Sequence, residues 1–178
     1  PKPLNRGHCI IMDMPHITIG ILGSGQLGRM LVIGAAQLGI KTHVFAPDAS
    51  CSPAGEIATA TTTAAYDDYT ALDQFAARIN VVTSEFENVP SETMAHLAKL
   101  CPVSPGTKAL RIAQHRVREK KFAKQHGILT PDFWHITDAP GLRQAMAELQ
   151  GRGVLKTCQL GYDGRGQTWI DPSDDLDA

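Results

Sequence analysis

The sequence has few cysteines and no long apolar run, and each shortage excludes a class of protein. Its four cysteines stand far apart with no C-x-x-C pair, and its seven histidines include no H-E-x-x-H pair. The spacings typical of zinc sites and disulfide frameworks are therefore missing. No apolar run approaches the roughly 18–20 residues that cross a bilayer. We expect reduced thiols, no metal site built from these residues, no membrane association and a cytoplasmic location.

An excess of charge of either sign is also missing. The chain carries 17 Lys and Arg against 18 Asp and Glu, a formal net charge of −1, and its pI is about 6.8. No basic field therefore favours binding to nucleic acid. Residues 1–15 lack the continuous apolar core and the cleavage site of a secretory signal, so we expect an N-terminal tail there.

The sequence does contain two glycine-rich loops, each placed directly after a short apolar run. Gly23–Gly28 follows residues 16–22, and Gly161–Gly166 follows the run Val154–Lys156 closely. A strand that opens into glycines lets backbone N–H groups approach a phosphate without interference from Cβ atoms. Two such loops predict two separate anionic ligands, as in a two-substrate enzyme.

Hydrophobic periodicity predicts alternating strands and helices as far as residue 105. The predicted strands are residues 16–23, 42–45, 57–63, 81–83 with an exit loop at 84–88, and 102–104. The predicted helices follow the first glycine loop, a cap at Thr70 and a cap at Ser91. The core-facing residues expected of the first helix are Leu27, Met30, Leu31, Ile33 and Leu38. This alternation predicts an α/β fold with a parallel, doubly wound sheet.

The pattern changes after Pro105, where we expect a domain boundary. Residues 107–126 predict one long basic helix, which most often is simply a solvated face, ending at Gly127. The elements predicted after it are a strand at 132–136, a helix at 142–149 and strands at 154–156 and 167–170. We therefore expect a tail at 1–15, an α/β domain at 16–105 and an incomplete second domain at 106–178.

The first glycine loop meets the dinucleotide-binding fingerprint. Asp48 lies 20 residues beyond Gly28, where a ribose-binding acid would sit. Taken alone, this favours an NAD-binding oxidoreductase or a nucleotide-sensing module. The polar residues Gln26 and Arg29, aimed at the strand ends, suit a single phosphorylated substrate equally well. Glycines needed only for a tight strand-to-helix turn are the third alternative.

An acidic segment follows the fourth predicted strand. Glu85, Glu87 and Asn88 lie past its carboxyl end, where open α/β sheets place their ligands. Their oxygens could accept hydrogen bonds from ribose hydroxyls or from an exocyclic amine. The alternation fits a strand end equally well, with Phe86 in the core and both acids in solvent. Both interpretations stay open.

The second glycine loop has cations beside it. Lys156 ends an apolar strand, where a lone ammonium would be desolvated unless it met an anion, so a phosphate partner is favoured. Arg165 supplies a planar fork of donors, and Tyr162 can cover a ligand and exclude water. The spacing does not match the G-x-x-x-x-G-K-[ST] phosphate loop. A flexible hairpin without function is the alternative.

Four segments together resemble 5-(carboxyamino)imidazole ribonucleotide synthase, an ATP-grasp family of bacterial and fungal purine synthesis. They are residues 21–31, Ser84-Glu-Phe-Glu-Asn-Val89, Gln114-His-Arg-Val-Arg-Glu-Lys120 and residues 155–167, in the same order along the chain. The resemblance implies a Rossmann-like pre-ATP-grasp parallel sheet followed by a truncated ATP-grasp small subdomain. Family members are much longer, so the adenine-binding segment and the acidic Mg²⁺ ligands would lie outside these residues.

The same resemblance implies roles for individual residues. The implied ATP-binding residues are Arg116, Lys156, Gly161, Tyr162, Asp163, Gly164, Arg165, Gly166 and Gln167. Among these, Lys156, Tyr162 and Arg165 are expected to act in catalysis, the last two also by contacting the ribonucleotide. The implied ribonucleotide-binding residues are Gly23, Gly25, Gln26, Leu27, Gly28, Glu85, Glu87 and Asn88. Leu160 stands where many members have a further glycine, so lower hinge freedom is expected.

The implied reaction uses ATP and bicarbonate to form carboxyphosphate, whose carboxyl group the exocyclic amine of 5-aminoimidazole ribonucleotide then captures. Phosphoryl transfer needs positioning and neutralised charge, which Lys156, Arg165 and Mg²⁺ would supply. The resemblance also implies a homodimer at full length, and the present residues alone are expected to be inactive. Sibling ATP-grasp ligases, the formate-using glycinamide ribonucleotide transformylase and biotin carboxylase, share the chemistry and differ in the acceptor.

Overall fold

A computed structural model describes residues 17–161 and 164–175. The predicted tail at 1–15 and the loop residues Tyr162 and Asp163 lie outside the described residues. The described part opens with a parallel sheet of four strands in the order β3-β2-β1-β4. These strands are β1 (Thr18–Leu22), β2 (Lys41–Ala46), β3 (Ala60–Thr63) and β4 (Val81–Ser84). The parallel α/β class predicted from the sequence is confirmed.

Helices alternate with these strands and then continue beyond them. The first group is α1 (Gln26–Gln37), α2 (Tyr69–Ala76) and α3 (Ser91–Leu97), with a short 3-10 helix at Ala49–Cys51. The second group is α4 (Thr107–Ala113), α5 (Arg116–Gln125) and α6 (Ala139–Leu149). An antiparallel ribbon of β5 (Gly153–Lys156) and β6 (Gln167–Ile170) follows.

The register of the sheet brings three loops to one edge. Leu22, the last residue of β1, lies opposite Phe45 of β2 and Ser84 of β4. The carboxyl ends of these parallel strands therefore meet, and the segments that follow them start side by side. This is the edge at which open α/β sheets bind their ligands.

The crossover directions decide which helix covers which face of the sheet. The β1-to-β2 connection and the β3-to-β4 connection run in opposite directions, so right-handed crossovers place α1 and α2 on opposite faces. A buried cluster under α2 and α3 includes Phe45, Phe75 and Leu97. A smaller cluster on the other face includes Ile21 and Val32.

The prediction for the buried face of α1 is wrong. Its expected core residues are among the exposed ones, with Met30 at 65% and Leu38 at 77% exposure. The residues that α1 buries are Gly28, Val32 and Ala35. These small or short side chains let the helix lie close to the sheet. Two apolar stripes share this helix, and periodicity does not reveal which one faces inward.

Several predicted boundaries also differ from the structure. The strand expected at 57–63 forms only at Ala60–Thr63, and the one at 102–104 reduces to a single bridge between Val103 and Val82. The cap of α2 is Asp68, whose carboxylate accepts a hydrogen bond from the Ala71 amide, rather than Thr70. Helix α3 begins after Pro90, and Ser91 donates to Glu92 instead of capping.

The long basic helix expected at 107–126 is two helices. His115 is extended, with φ −131° and ψ 108°, and separates α4 from α5. The Gln114 side chain donates to the carbonyls of Glu87 and Val89, which holds the end of α4 against the loop after β4. Tertiary contacts thus break a helical pattern that is continuous in sequence.

The second part of the described chain has little core of its own. Both buried clusters lie before residue 115, whereas Ala145 and Ile170 are the buried apolar residues described from 116 onward. The strand predicted at 132–136 is not formed; the segment runs beside a cavity of about 470 Å³ that also contacts α6 and β5. A two-stranded ribbon without a third strand or a well-packed helix is only marginally stable.

Candidate functional site

The first glycine loop is packed against the side chain of Glu85. The Gly25 amide donates a hydrogen bond of 2.8 Å to Glu85 Oε1. Gly23 has φ +107°, and a Cβ built on it would lie only 2.6 Å from the same oxygen. A Cβ on Gly28 would lie 3.3 Å from Glu85 Cγ. A side chain at Gly23 or Gly28 would therefore crowd Glu85, and Gly23 also needs its positive φ, whereas Gly25 contributes its amide.

This carboxylate changes what the loop can bind. The second glycine of a dinucleotide fingerprint lets the backbone approach a pyrophosphate, but here the Gly25 amide already donates to Glu85. The amides of Gln26, Leu27 and Gly28 open α1 and have no partner within the helix. The loop thus presents a carboxylate acceptor next to helix N-terminal donors, a combination suited to a hydroxyl or amine group beside a single phosphate.

The other polar residues of this edge divide into two groups. Ser24 Oγ donates to Asp48 Oδ1 at 2.6 Å, which brings a second carboxylate to the loop. Arg29 instead donates to the Pro53 carbonyl at 2.9 Å and pairs with Glu56 at 3.1 Å. Arg29 is therefore held by the segment that follows β2, and its expected role toward a phosphorylated substrate stays a prediction.

The acidic segment after β4 brings one of its three predicted residues to the loop. Glu85 contacts the glycines, whereas the Glu87 side chain is exposed and Asn88 is half-buried. Phe86 is 41% exposed, so the alternative that placed it in the core is wrong. Its ring lies 6.1 Å from that of Tyr66, at an interplanar angle of 22°.

Tyr66 is a residue of this edge that the sequence analysis missed. Burial, followed by the nearby Asp48 and Glu85 carboxylates, raises the pKa of its phenol to about 12. Its backbone carbonyl accepts a hydrogen bond from Thr93 Oγ1 at 2.6 Å. Tyr66 is thus a neutral donor held next to two acids, and no sequence motif marks it.

Tyr66→Phe should weaken the loss of stability at alkaline pH. The folded pKa of about 12 exceeds the unfolded value of about 10, so the phenol stabilises the fold fully below pH 10. That contribution is lost as pH rises from about 10 through 12. Urea unfolding at pH 9, 10 and 11 should show a steeper fall for the wild type than for Tyr66→Phe. Tyr69→Phe, which removes an exposed phenol, is the matched control, and equal slopes for all three proteins would contradict the prediction.

The second glycine loop meets two basic side chains from other elements. Arg116 from the start of α5 and Lys156 from the end of β5 line one small cavity of about 120 Å³ together with loop residues. The loop residues lining it are Gly161, Gly164, Arg165, Gly166 and Gln167. Three cationic side chains around one cavity are suited to a multiply charged anion.

Backbone contacts hold these parts together. The Arg116 amide donates to the Cys158 carbonyl at 2.9 Å, which ties α5 to the chain after β5. The Thr157 amide donates to the Gly166 carbonyl at 2.8 Å. Gly164 and Gly166 adopt φ +80° and +66°, conformations that favour glycine. The described residues of the predicted loop and the two predicted cations outside it are therefore brought together.

Two atoms at the start of α5 lack a hydrogen bond. Arg116 Nε and His115 Nδ1 are buried and have no partner among the described residues. A buried donor without a partner costs about 1–3 kcal/mol, which an anion in the adjacent cavity would offset for Arg116. His115 was missed by the sequence analysis. Lys156 does line the cavity, as predicted, but its side chain is exposed. The argument that a desolvated ammonium there would need a phosphate partner is therefore wrong.

Leu160 occupies a backbone conformation that favours glycine. Its φ is +61° and its side chain is 69% exposed, so strain is expected without compensating burial. Leu160→Gly should remove about 1–2 kcal/mol of strain, partly offset by the greater freedom of glycine in the unfolded chain. The free energy of unfolding, from urea titration, should rise or stay level. Leu129→Gly is the control, because Leu129 is 98% exposed and is not among the positive-φ residues, so it should lose stability. Equal losses of unfolding free energy in Leu160→Gly and Leu129→Gly would contradict the expected backbone strain at Leu160.

The described residues hold no candidate metal centre. No group of three or more His, Cys, Asp or Glu side chains among them could hold an ion. Cys51, Cys101 and Cys158 are free thiols. No helix in the described ranges is long and apolar enough to cross a membrane.

Both parts of the chain match family models. Residues 16–114 match the ribonucleotide synthetase preATP-grasp domain, and residues 121–178 match the ATP-grasp domain. A curated relative from Brucella melitensis, named N5-carboxyaminoimidazole ribonucleotide synthase, is 44% identical over 164 residues. The match covers 92% of this chain and 45% of that relative. The chain thus spans less than half the length of such relatives.

Solved structures agree with these matches. The N5-carboxyaminoimidazole synthetase of Staphylococcus aureus, complexed with ADP, is 34% identical with a TM-score of 0.85, covering 90% of this chain and 43% of that one. The Aspergillus clavatus synthase, in complex with ADP and 5-aminoimidazole ribonucleotide, is 27% identical with a TM-score of 0.79. That match covers 91% of this chain and 42% of the other.

Proposed function

Since the chain belongs to the ribonucleotide synthetase pre-ATP-grasp family and continues into an ATP-grasp domain, we propose that it binds ribonucleotide and ATP phosphates in a carbon–nitrogen ligase. The reaction would be the ATP- and bicarbonate-dependent carboxylation of the exocyclic amine of 5-aminoimidazole ribonucleotide. The observation that carries the proposal is the cavity shared by Arg116, Lys156 and the second glycine loop.

The ATP phosphates are the anion that best suits this cavity. Arg116 Nε supplies an unsatisfied donor, and Lys156 and Arg165 add positive charge from two other segments. Gly161 lets the loop close tightly at this point, because a Cβ there would lie 2.9 Å from Thr157 Oγ1 and 3.2 Å from the Arg165 carbonyl. The proposed phosphate-binding set is Arg116, Lys156, Gly161, Gly164, Arg165, Gly166 and Gln167, together with Tyr162 and Asp163 from outside the described ranges.

The ribonucleotide would bind at the first glycine loop. Glu85 can accept from a ribose hydroxyl or from the amine, while the amides that open α1 face a phosphate. Gly23, Gly25, Gln26, Leu27, Gly28, Glu85, Glu87 and Asn88 remain the proposed set. The Gly25–Glu85 hydrogen bond disfavours the NAD alternative, since a pyrophosphate at Gly25 would meet a carboxylate.

The proposed reaction is a phosphoryl transfer followed by a carboxyl transfer, and it needs positive charge around the transferred phosphoryl group. A bicarbonate oxygen attacks the γ-phosphorus of ATP, the bond to the β-phosphate oxygen breaks, and carboxyphosphate and ADP form. The amine of the ribonucleotide then takes the carboxyl group, directly or after carbon dioxide is released, and inorganic phosphate leaves. Arg116, Lys156 and Arg165 would stabilise the charge on the transferred phosphoryl group, and a closed loop would keep water away from carboxyphosphate.

Two further features are proposed from the resemblance: Mg²⁺ as a second cofactor, with ligands outside these 178 residues, and a homodimer. A cytoplasmic location is proposed from the spacing of the cysteines, and a domain boundary near residue 105 from the change in sequence pattern there. The described residues do not provide a site for Mg²⁺.

Ligand binding to this chain tests the proposal. Isothermal titration should show weak ATP binding that Lys156→Ala abolishes, and ribonucleotide binding that Glu85→Ala weakens and Lys156→Ala does not. Glu92→Ala removes an exposed carboxylate seven residues further along the chain, outside both proposed binding sets, and serves as the control for charge alone. Submicromolar binding of NADH, with no effect of Lys156→Ala on ATP, would overturn the assignment.

A further inference from the structure

The ribbon of β5 and β6 has two different faces. Residues paired across an antiparallel ribbon lie on the same face, and successive residues alternate between the faces. Gly153 and its partner Ile170 lie on the face that α6 covers, which we call the inner face. A Cβ on Gly153 would lie 3.1 Å from the nearest atom of α6, and Ile170 is only 7% exposed. The other side, which we call the outer face, carries the pairs Val154–Trp169 and Lys156–Gln167.

Trp169 presents an aromatic ring on the outer face. The residue is 55% exposed, a high value for a side chain of this size. The Arg152 guanidinium lies 4.5 Å from the centroid of the ring, and Arg152 Nε pairs with Asp171 Oδ1 at 3.2 Å. These contacts hold the indole from one side. Aromatic surface therefore stays available for a ligand that stacks.

The outer face starts at the small cavity that we assign to the ATP phosphates. Lys156 and Gln167 both line that cavity. Val154 and Trp169 lie two residues further along their strands on the same face, about 7 Å away. In a nucleotide, the sugar separates the phosphates from the base by a comparable distance. A nucleotide with its phosphates in the cavity can therefore place its base over Val154 and Trp169.

The chemistry of this pair suits a base. Proteins commonly hold unpaired bases by stacking them on aromatic side chains, and every base has a π-face for this contact. Val154 is half-buried and adds apolar surface beside the indole. Stacking does not read the edge of the base, so the contact favours a nucleotide over a bare phosphate chain without choosing among bases.

The larger cavity of about 470 Å³ suits the base less well. Its lining includes Ala145 and Ile170, the buried apolar residues described in this part of the chain. It therefore lies within the small core between α6 and the inner face. The indole N–H of Trp134, which also lines it, already donates to Glu148 Oε2 at 2.6 Å. A base with several polar edge groups would be poorly matched there.

We propose that Trp169 stacks on the base of the nucleotide whose phosphates occupy the cavity of Arg116 and Lys156. The inference rests on the proposed function for the phosphates and adds a base contact to it. The adenine-binding segment was expected outside these residues. Trp169 would supply one contact to the base from within the chain, next to the cations that bind the phosphates.

Isothermal titration of this chain with ATP and with inorganic tripolyphosphate tests the stack, because tripolyphosphate has no base. Trp169→Ala should weaken ATP binding on the order of tenfold, the effect of losing one base–aromatic stack, and leave tripolyphosphate binding unchanged. Trp169→Phe should keep most of the ATP affinity, since an aromatic ring remains. Thr168→Ala is the control: Thr168 is the exposed neighbour on the inner face, so its loss should change neither affinity.

Tryptophan fluorescence locates the base independently, because the chain has two tryptophans. Trp134→Phe leaves the emission of Trp169, which ATP should quench and tripolyphosphate should not. Trp169→Phe leaves the emission of Trp134, which neither ligand should quench. Quenching of Trp134 by ATP with no response from Trp169 would place the base in the larger cavity and overturn the proposal.

Two further results would overturn the stack. Unchanged ATP affinity in Trp169→Ala would show that the base does not contact the indole. Equal loss of ATP and tripolyphosphate affinity would show that Trp169 only supports the ribbon. The phosphate site is tested separately by Lys156→Ala, which should abolish binding of both ligands. Tripolyphosphate binding that Lys156→Ala leaves intact would overturn the phosphate site and the stack with it, whereas failure of the stack alone leaves the effect of Lys156→Ala in place.

Discussion

Arg116→Ala should lower kcat/KM for ATP by about 10²–10³-fold, the loss expected for one preorganised donor to a transferred phosphoryl group. The protein to measure is a fusion enzyme, this chain followed by the part of the Brucella melitensis relative beyond the matched region. The Arg116 amide is tied to the Cys158 carbonyl, and its buried Nε has no partner among the described residues. The side chain is therefore held beside the cavity before any ligand arrives. Arg116→Lys should recover part of the loss, because charge remains but the planar fork does not.

Arg118→Ala is the matched control for this effect. Arg118 lies two residues further along the same helix, is exposed, and donates only a long 3.4 Å hydrogen bond to the Arg111 carbonyl. Its removal subtracts the same charge without touching the cavity, so kcat/KM should stay within about twofold, consistent with small surface effects. Similar losses for both variants would mean that α5 acts through its overall charge and that Arg116 makes no specific phosphate contact.

Gly23→Ala should lower the free energy of unfolding by about 3 kcal/mol and the ribonucleotide affinity by at least tenfold. The backbone at Gly23 has φ +107°, which costs a residue with a Cβ about 1–3 kcal/mol. The new methyl group would also lie 2.6 Å from Glu85 Oε1 and displace the carboxylate from the Gly25 amide. Urea denaturation and titration with 5-aminoimidazole ribonucleotide measure the two effects.

Gly25→Ala provides the comparison within the same loop. Gly25 has φ −74°, and the nearest atom to its Cβ would be Glu85 Oε1 at 3.4 Å, an ordinary contact. The substitution should cost less than about 1 kcal/mol of stability. If Gly25→Ala lowered the ribonucleotide affinity as much as Gly23→Ala, then space for the ligand, rather than the Glu85 contact, would decide which residues the loop tolerates.

The sequence predicted the fold class and the position of both loops because these depend on local pattern. Alternating apolar runs and glycine stops identify β1, α1 and β2 directly, and β6 coincides with the predicted run 167–170. The parallel sheet then brings Gly23 and Glu85 to one edge, since both follow strands that are neighbours. The residue roles stay predictions, as no contact with a ligand tests them.

The predictions that proved wrong concern places where the local sequence pattern allows two structures and tertiary contacts select one of them. Two apolar stripes on α1 have the same period, and the choice of the one through Val32 depends on how closely the helix packs on the sheet. The break between α4 and α5 follows from the contact of Gln114 with the loop after β4. Its hydrogen-bond partner Val89 lies 25 residues earlier in the sequence. The Glu85–Gly25 hydrogen bond links residues 60 positions apart, so no local motif could reveal that the loop already holds a carboxylate.

Carbon transfer by the fusion enzyme tests the central claim most directly. The measurement follows labelled bicarbonate into 5-aminoimidazole ribonucleotide, together with ADP and phosphate release, in the presence of ATP and Mg²⁺. We expect labelled carboxylated ribonucleotide, about one ADP for each carboxylation, and loss of both in Lys156→Ala. Carboxylation that persists in Lys156→Ala, or ATP consumption that responds to glycinamide ribonucleotide and formate but not to 5-aminoimidazole ribonucleotide, would contradict the assignment.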